Sequence, residues 1–299
     1  MTERFGWRAA LLALAVVAVW GSNFVVIKLA LGSLPPLLFA TLRFAAVTVP
    51  LIFVLKRPAV AWRTLAAYGL LIGVGQFGLL FIAIDGLIAP GLASLLMQVQ
   101  VFFTIALAAR VGGERPGRAQ WLAAIPALAG LGIIVAHTGG TTTVAGVGLC
   151  LVAALSWAAG NIVQRGAGRV DMLAFVVWSS AFAVPPLLAL TLVFEGAAPA
   201  LAAVQAASLA TWGAVAWQAV GNSMFGYGVW GWLLARYPAA SVAPTALLVP
   251  VFGMGSAALF LGEPLQAWKL LAGALILGGL AVNLLGDRLV RRMVRGEPA

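Results

Sequence analysis

Ten apolar stretches run along the chain, at 8–31, 36–55, 65–84, 90–109, 119–137, 143–164, 172–194, 208–235, 239–261 and 266–285. Each is close to the roughly 20 residues with which an α-helix crosses a bilayer core at about 1.5 Å per residue. Polar residues gather in the connections, which are too short to hold an extramembrane domain. The pattern therefore predicts an all-α integral membrane protein with ten transmembrane helices.

The basic positions add orientation. Fifteen of the eighteen Lys and Arg residues fall on alternate connections or on the tails. These are Arg4 and Arg8, then Lys56, Arg57 and Arg63, then Arg110, Arg115 and Arg118, then Arg165 and Arg169, Arg236, and finally Arg288, Arg291, Arg292 and Arg295. Only Lys28, Arg43 and Lys269 lie elsewhere. Basic residues mark cytoplasmic flanks, so both termini are expected in the cytoplasm, as an even number of spans requires. The basic start followed by an apolar run has the outline of a signal peptide, but the run continues past Trp20 to Ala30, too long for a signal-peptide core, and has no convincing small-x-small cleavage site. It is read as the first span. Short connections and no organelle-targeting segment favour a bacterial inner membrane.

Composition agrees: 63% of residues are hydrophobic and 9% charged, against about 25% charged in soluble domains. The net charge of +10 is spread over short flanks, where it serves orientation and headgroup contact, so no nucleic-acid partner is expected. The single cysteine, Cys150, lies within a span and forms no intrachain disulfide.

The chain is also written twice. Trp20-Gly-Ser-Asn23 precedes Lys28 by the same eight residues that separate Trp157, in Trp157-Ala-Ala-Gly-Asn161, from Arg165. Residues 89–102 (APGLASLLMQVQVF) resemble residues 239–252 (AASVAPTALLVPVF) at an offset of 150. Both stretches run on to a Gly-Glu pair, Gly113-Glu114 and Gly262-Glu263, and Gly130 and Gly279 each follow sixteen residues after that Glu. Five spans per copy is an odd number, so the copies must enter the membrane from opposite sides. The expected architecture is two five-helix inverted-topology repeats, 8–137 and 143–285, with a cytoplasmic tail at 286–299. Inverted repeats that exchange conformations around a central site are the design of transporters.

The segments WGSNFVVIKLAL (20–31) and PPLLFATLRF (35–44), with the two Gly-Glu pairs, resemble the EamA-type drug/metabolite transporter superfamily over roughly residues 10–285. The resemblance is closest to bacterial amino-acid exporters, the aromatic amino-acid branch in particular. It implies export of small neutral metabolites, most of all amino acids including aromatic ones. Drugs or nucleoside-type metabolites are the alternative substrates. The second copy departs from the first where Trp178 stands in the place of Arg43.

Chemistry narrows the mechanism. All eight acidic residues lie at connections or tails, so no intramembrane carboxylate is available as a proton site. Facilitated diffusion, or coupling that needs no such carboxylate, is expected. His137 closes a span and reads as interfacial. No Walker A, HExxH or GxSxG motif appears, which leaves a polytopic membrane enzyme without support. No cofactor or metal is expected. The partners are the bilayer and a small-molecule substrate, and a monomer is compatible with this reading.

Polar and aromatic residues deep in spans are the substrate-contact candidates: Trp20, Asn23, Gln76, Phe77, Gln98, Trp157, Asn161, Trp178, Asn222 and Tyr227. Amides bond an ammonium and a carboxylate together, although membrane amides also join helices. Gln100, Gln218, Trp217 and Trp230 are further interior polar or aromatic residues. A central Trp is too bulky for a close helix crossing and borders a cavity more naturally. Arg43 is expected to meet exposed carbonyls or a substrate carboxylate, and Lys28 to reach the interface. Gly69-x-x-x-Gly73 is a helix-packing motif. Gly221, Gly226, Pro244 and Pro250 are candidate hinges, with static kinks as the alternative.

Overall fold

The computed structural model describes residues 6–112, 117–168 and 170–295. The Gly113-Glu114 pair, Arg4, Arg115 and Arg169 lie outside the described residues. Every regular element among those described is helical. In chain order these are α1 (Trp7–Leu31), α2 (Pro36–Leu51), α3 (Trp62–Ile84), α4 (Pro90–Val111), α5 (Arg118–Ala136) and α6 (Val144–Gly166). Then follow α7 (Met172–Glu195), α8 (Ala197–Ala206), α9 (Leu209–Arg236), α10 (Ala243–Leu261) and α11 (Ala267–Arg295). Among the described residues, seven helices are long and apolar enough to cross a membrane, and an eighth counts if the bent pair α8–α9 is one span. Pro36–Leu51 and Gln120–Ala136 are apolar but shorter.

Two elements depart from the apolar pattern. Helix α2 stops at Leu51, although the apolar run continues to Leu55. Pro50 and Pro58 bracket this stretch and discourage helix continuation, and the indole of Trp178 donates to the carbonyl freed at Leu55, at 3.0 Å. Helix α8 falls in a connection and is too short to span. It follows Gly196, whose φ of +87° suits glycine, and it makes a 103° bend with α9. Helix α11 runs on without a break through the tail region to Arg295.

Departures from α-helical winding recur at matching places. Leu70–Gly78 in α3 and Trp217–Phe225 in α9 are both nine-residue π-helical segments. Met97–Val99 in α4 and Ala243–Leu248 at the start of α10 are both 3-10 segments. Helices α5 and α11 pack antiparallel through the two glycines of the repeat. A Cβ on Gly130 would stand 2.8 Å from the Ala272 carbonyl, and one on Gly279 would stand 2.5 Å from the Ala123 carbonyl. The contact is thus reciprocal, in the manner of a two-fold interface. Gly69 and Gly73 leave room in the same way for Ser179 and Ala183 of α7.

The bundle has two chemically distinct ends. Ala9 and Ala13 pack with Leu233 and Val242, and Trp62 stacks near Trp178. This brings together the end that carries Arg8, Arg57, Arg63, Arg165 and Arg236. At the other end, Lys28 donates to the Ile84 carbonyl at 3.1 Å and so caps α3. Glu195 accepts from Leu37 N and Leu38 N, at 2.6 and 2.9 Å, and so caps α2. Glu263 accepts from Gly91 N at 3.0 Å and pairs with Lys269 at 2.9 Å.

Candidate functional site

A cavity of about 400 Å³ opens in the middle of the bundle, walled mainly by α1, α3, α4, α6, α9 and α10. Its size suits a small organic ligand. Gln164, Met172, Leu234, Ala243 and Leu284 line it toward the basic end, and Ile27 and Leu80 toward the other. Nine of the ten candidate contact residues border it: Trp20, Asn23, Gln76, Phe77, Gln98, Trp157, Asn161, Asn222 and Tyr227. The tenth, Trp178, does not. Its indole is committed to Leu55 and its ring to Trp62, 5.9 Å between centroids, so it holds the ends of α2, α3 and α7 together.

One wall is aromatic. Trp20 lies 5.6 Å from Tyr227 and 5.2 Å from Trp230, both tilted. The Trp20 indole donates to the Asn222 carbonyl at 3.1 Å, which belongs to the π segment of α9 and needs a donor from outside the regular ladder. Gly226 makes this possible, because a Cβ there would collide with the Trp20 indole. That glycine therefore serves close approach. Gly221 lies inside the π segment, Pro244 inside the 3-10 segment, and Pro250 in the first turn of the α-helical part of α10. Trp217, by contrast, is turned outward.

The amides divide into two kinds. Asn161 Nδ2 donates to Gln100 Oε1 at 2.8 Å and to Thr104 Oγ1 at 3.3 Å, on a half-buried wall. Gln218 Nε2 donates to Asn23 Oδ1 at 2.8 Å, yet Gln218 is wholly buried and does not border the cavity. Gln76 is buried on the wall with its Oε1 unpartnered. Tyr68, Ser94, Met97, Gln164 and Met172 also line the cavity and were not among the candidates. Tyr68 and Ser94 sit at regular helical spacing from recognised wall residues, but nothing marks the facing side of a helix that is apolar all round.

Arg43 is neither in a watery vestibule nor on helix carbonyls. It is 1% exposed and lies against the rings of Phe77 and Phe44. The described carboxylates Asp171, Glu195 and Glu263 all accept backbone N–H bonds at helix starts. Asp85, just past α3, has its carboxyl raised above the ordinary range by partial burial, with Lys28 opposing the shift.

The EamA-like transporter family matches this sequence twice, over residues 7–136 and 144–285. The chain belongs to that family. An EamA-like chain is a membrane transporter, and the enzyme alternative falls. Two relatives bear the name "Probable amino-acid metabolite efflux pump". The one from Salmonella typhimurium is 44% identical, with 95% of this chain and 97% of the relative covered. The one from Escherichia coli K12 is 42% identical, with 93% and 95% covered. A solved crystal structure shares the fold at a TM-score of 0.63 and 21% identity, covering 94% of this chain and 98% of its own. The two EamA-like matches divide the chain between α5 and α6.

Proposed function

We propose that this protein exports small neutral metabolites, foremost amino acids with aromatic or other apolar side chains, across a bacterial inner membrane. The observation that carries the reading is the central cavity, in which an aromatic wall at Trp20, Tyr227 and Trp230 faces amides at Gln76, Gln98 and Asn161. An aromatic surface accepts an apolar side chain. The amides supply donors and acceptors for a zwitterion that must be released again. The names of the relatives in Salmonella typhimurium and Escherichia coli point the same way.

In this reading the ten helices other than α8 cross the membrane, the shorter α2 and α5 included, and α8 lies along its outer surface. The two halves, 8–137 and 143–285, are inverted repeats. The recurrence of π and 3-10 segments, and the reciprocal glycine contacts of α5 and α11, support that relation. With the basic end in the cytoplasm, both termini are cytoplasmic and the cavity mouth at Gln164 and Leu234 faces inward. Transport proceeds by rocking of one half against the other. Among the described residues no carboxylate stands in the cavity wall to carry a proton, and in this reading flux follows the substrate gradient.

The test is uptake by liposomes containing the purified protein, with a panel of radiolabelled amino acids, with and without a pH gradient. Saturable phenylalanine or tryptophan flux that ignores the pH gradient is expected. Accumulation that requires a proton gradient overturns the uncoupled mechanism. Absence of amino-acid flux from folded protein turns the assignment to drugs or nucleoside-type metabolites.

A further inference from the structure

We propose that Arg43 is a concealed anchor for the substrate carboxylate, covered by the ring of Phe77 in this conformation. The proposal rests on the amino-acid reading above and assigns one end of the substrate to one residue.

The guanidinium is the strangest buried group in the protein. Its Cζ lies 3.5 Å from the Phe77 ring centroid and 4.9 Å from that of Phe44. Nη2 reaches Ser223 Oγ at 3.5 Å, the outer limit for a hydrogen bond. Nε and Nη1 have no partner. Every described carboxylate is engaged or placed at a helix end, so none neutralises it. Burying an unpaired cation is strongly unfavourable, and cation–π contact offsets only part of that cost. A fold needing only to fill this space would use an apolar side chain. A charged group kept inside a membrane bundle without a counter-ion points to a ligand that brings one.

The surroundings fit that ligand. A second, small pocket of about 10 Å³ surrounds the guanidinium, and the unpartnered Ser179 Oγ lines it too. That volume suits about one water, so a carboxylate enters only if a wall moves. Phe77, Tyr68 and Tyr227 line both the small pocket and the central cavity. The Phe77 ring is thus the partition between substrate and cation. The partition is on a movable element: Phe77 lies in the π segment of α3, and Ser223 in that of α9. When the Phe77 ring swings aside, a carboxylate takes its place against the fork of N–H donors, a geometry that guanidinium matches with two parallel bonds. The free Oε1 of Gln76, next along the same helix, accepts from the ammonium. An α-amino acid carries both groups, whereas an amine or an amino-acid amide carries only the ammonium.

The experiment compares L-phenylalanine with L-phenylalaninamide, in which a neutral amide replaces the carboxylate. Both compete for radiolabelled phenylalanine in liposomes carrying the full chain. In the wild type, phenylalanine is expected to compete about tenfold better or more, as for loss of one charge-assisted bond. Arg43→Gln should abolish that preference by weakening phenylalanine about tenfold while shifting the amide less than about twofold. Arg43→Lys should keep part of the preference. Size-exclusion profile and melting temperature check the fold. If Arg43→Gln does not fold, Phe77→Leu takes its place, and removal of the partition should raise the preference for phenylalanine. Equal weakening of both compounds, or no change, overturns the anchor and leaves Arg43 as a clamp between the π segments. Wild-type protein that is folded but moves no amino acid overturns the substrate reading itself.

Discussion

At the scale of single residues, position relative to the cavity, not burial, separates the amides proposed to meet substrate from one that only joins helices. Asn161 lies half-buried on the cavity wall, and its bond to Gln100 leaves its carbonyl side available to a ligand. Gln218 is wholly buried behind the wall and bonds Asn23 without itself bordering the cavity. Asn161→Ala and Trp157→Ala should therefore lower phenylalanine flux about tenfold, the effect of losing one bond to a charged ligand, with the melting temperature unchanged. Gln218→Ala should do the opposite. It leaves Asn23 Oδ1 without its donor and costs about 1 kcal/mol of stability, while flux is retained. Flux lost with Gln218→Ala at full stability would move that residue into the site. Residue type alone marked most of the wall, since a polar or aromatic group deep in an apolar span has few reasons to be there. It could not separate Trp157 from Trp178 and Trp217, because depth along a helix says nothing about which way the side chain turns. Trp178 spends its indole on the carbonyl freed at Leu55, and that carbonyl is free only because α2 stops early.

At the scale of elements, two helix starts depend on acids from distant parts of the chain. Helix α2 opens with Pro35-Pro36 and has no local side-chain cap. Both carboxylate oxygens of Glu195, more than 150 residues away, accept from its first N–H groups. Glu263 does the same for α4 and also neutralises Lys269, with both side chains nearly buried. Glu263→Ala strips the cap and strands a buried ammonium, so it should cost about 3 kcal/mol. Adding Lys269→Met should recover most of that loss, leaving about 1 kcal/mol for the cap. Thermal unfolding in detergent measures both. A double variant no more stable than Glu263→Ala would show that the cap, not the stranded charge, dominates. The apolar pattern made the long helices legible, because hydropathy over some twenty residues reports burial in lipid directly. Remote caps leave no local trace. Neither do the π segments of α3 and α9, whose extra residue per turn hides inside an unbroken apolar run. Their glycines stood out, but as packing and hinge positions. Helix α8 was missed for a similar reason, since an alanine-rich run too short to span reads as connection.

At the scale of the whole molecule, the cavity lining is exposed at Leu234 toward the basic end and buried at Ile27 and Leu80 toward the other, and small residues from three helices pack closely beside it. A Cβ on Gly21 of α1 would stand 2.5 Å from Phe252 Cβ of α10 and 2.5 Å from the Val249 carbonyl. Gly253 of α10 has no room for a Cβ against Ser94 of α4. Ser94 is 1% exposed although it borders the cavity. Packing this close is either complete or broken, which suits a gate with two states better than a gradual aperture. Cys150, the sole cysteine, is fully buried, so a Cys150→Ala background allows single reporters. Gln164→Cys at the mouth should react with a membrane-impermeant thiol reagent in inside-out vesicles and not in right-side-out ones. Ser94→Cys should resist the reagent from the outside at rest and become reactive when phenylalanine drives exchange. Reaction of Gln164→Cys from the outside would reverse the orientation deduced from the basic residues. Ser94→Cys that stays protected from the outside throughout turnover would mean that this junction never opens, and the rocking of the two halves would have to be abandoned for another route.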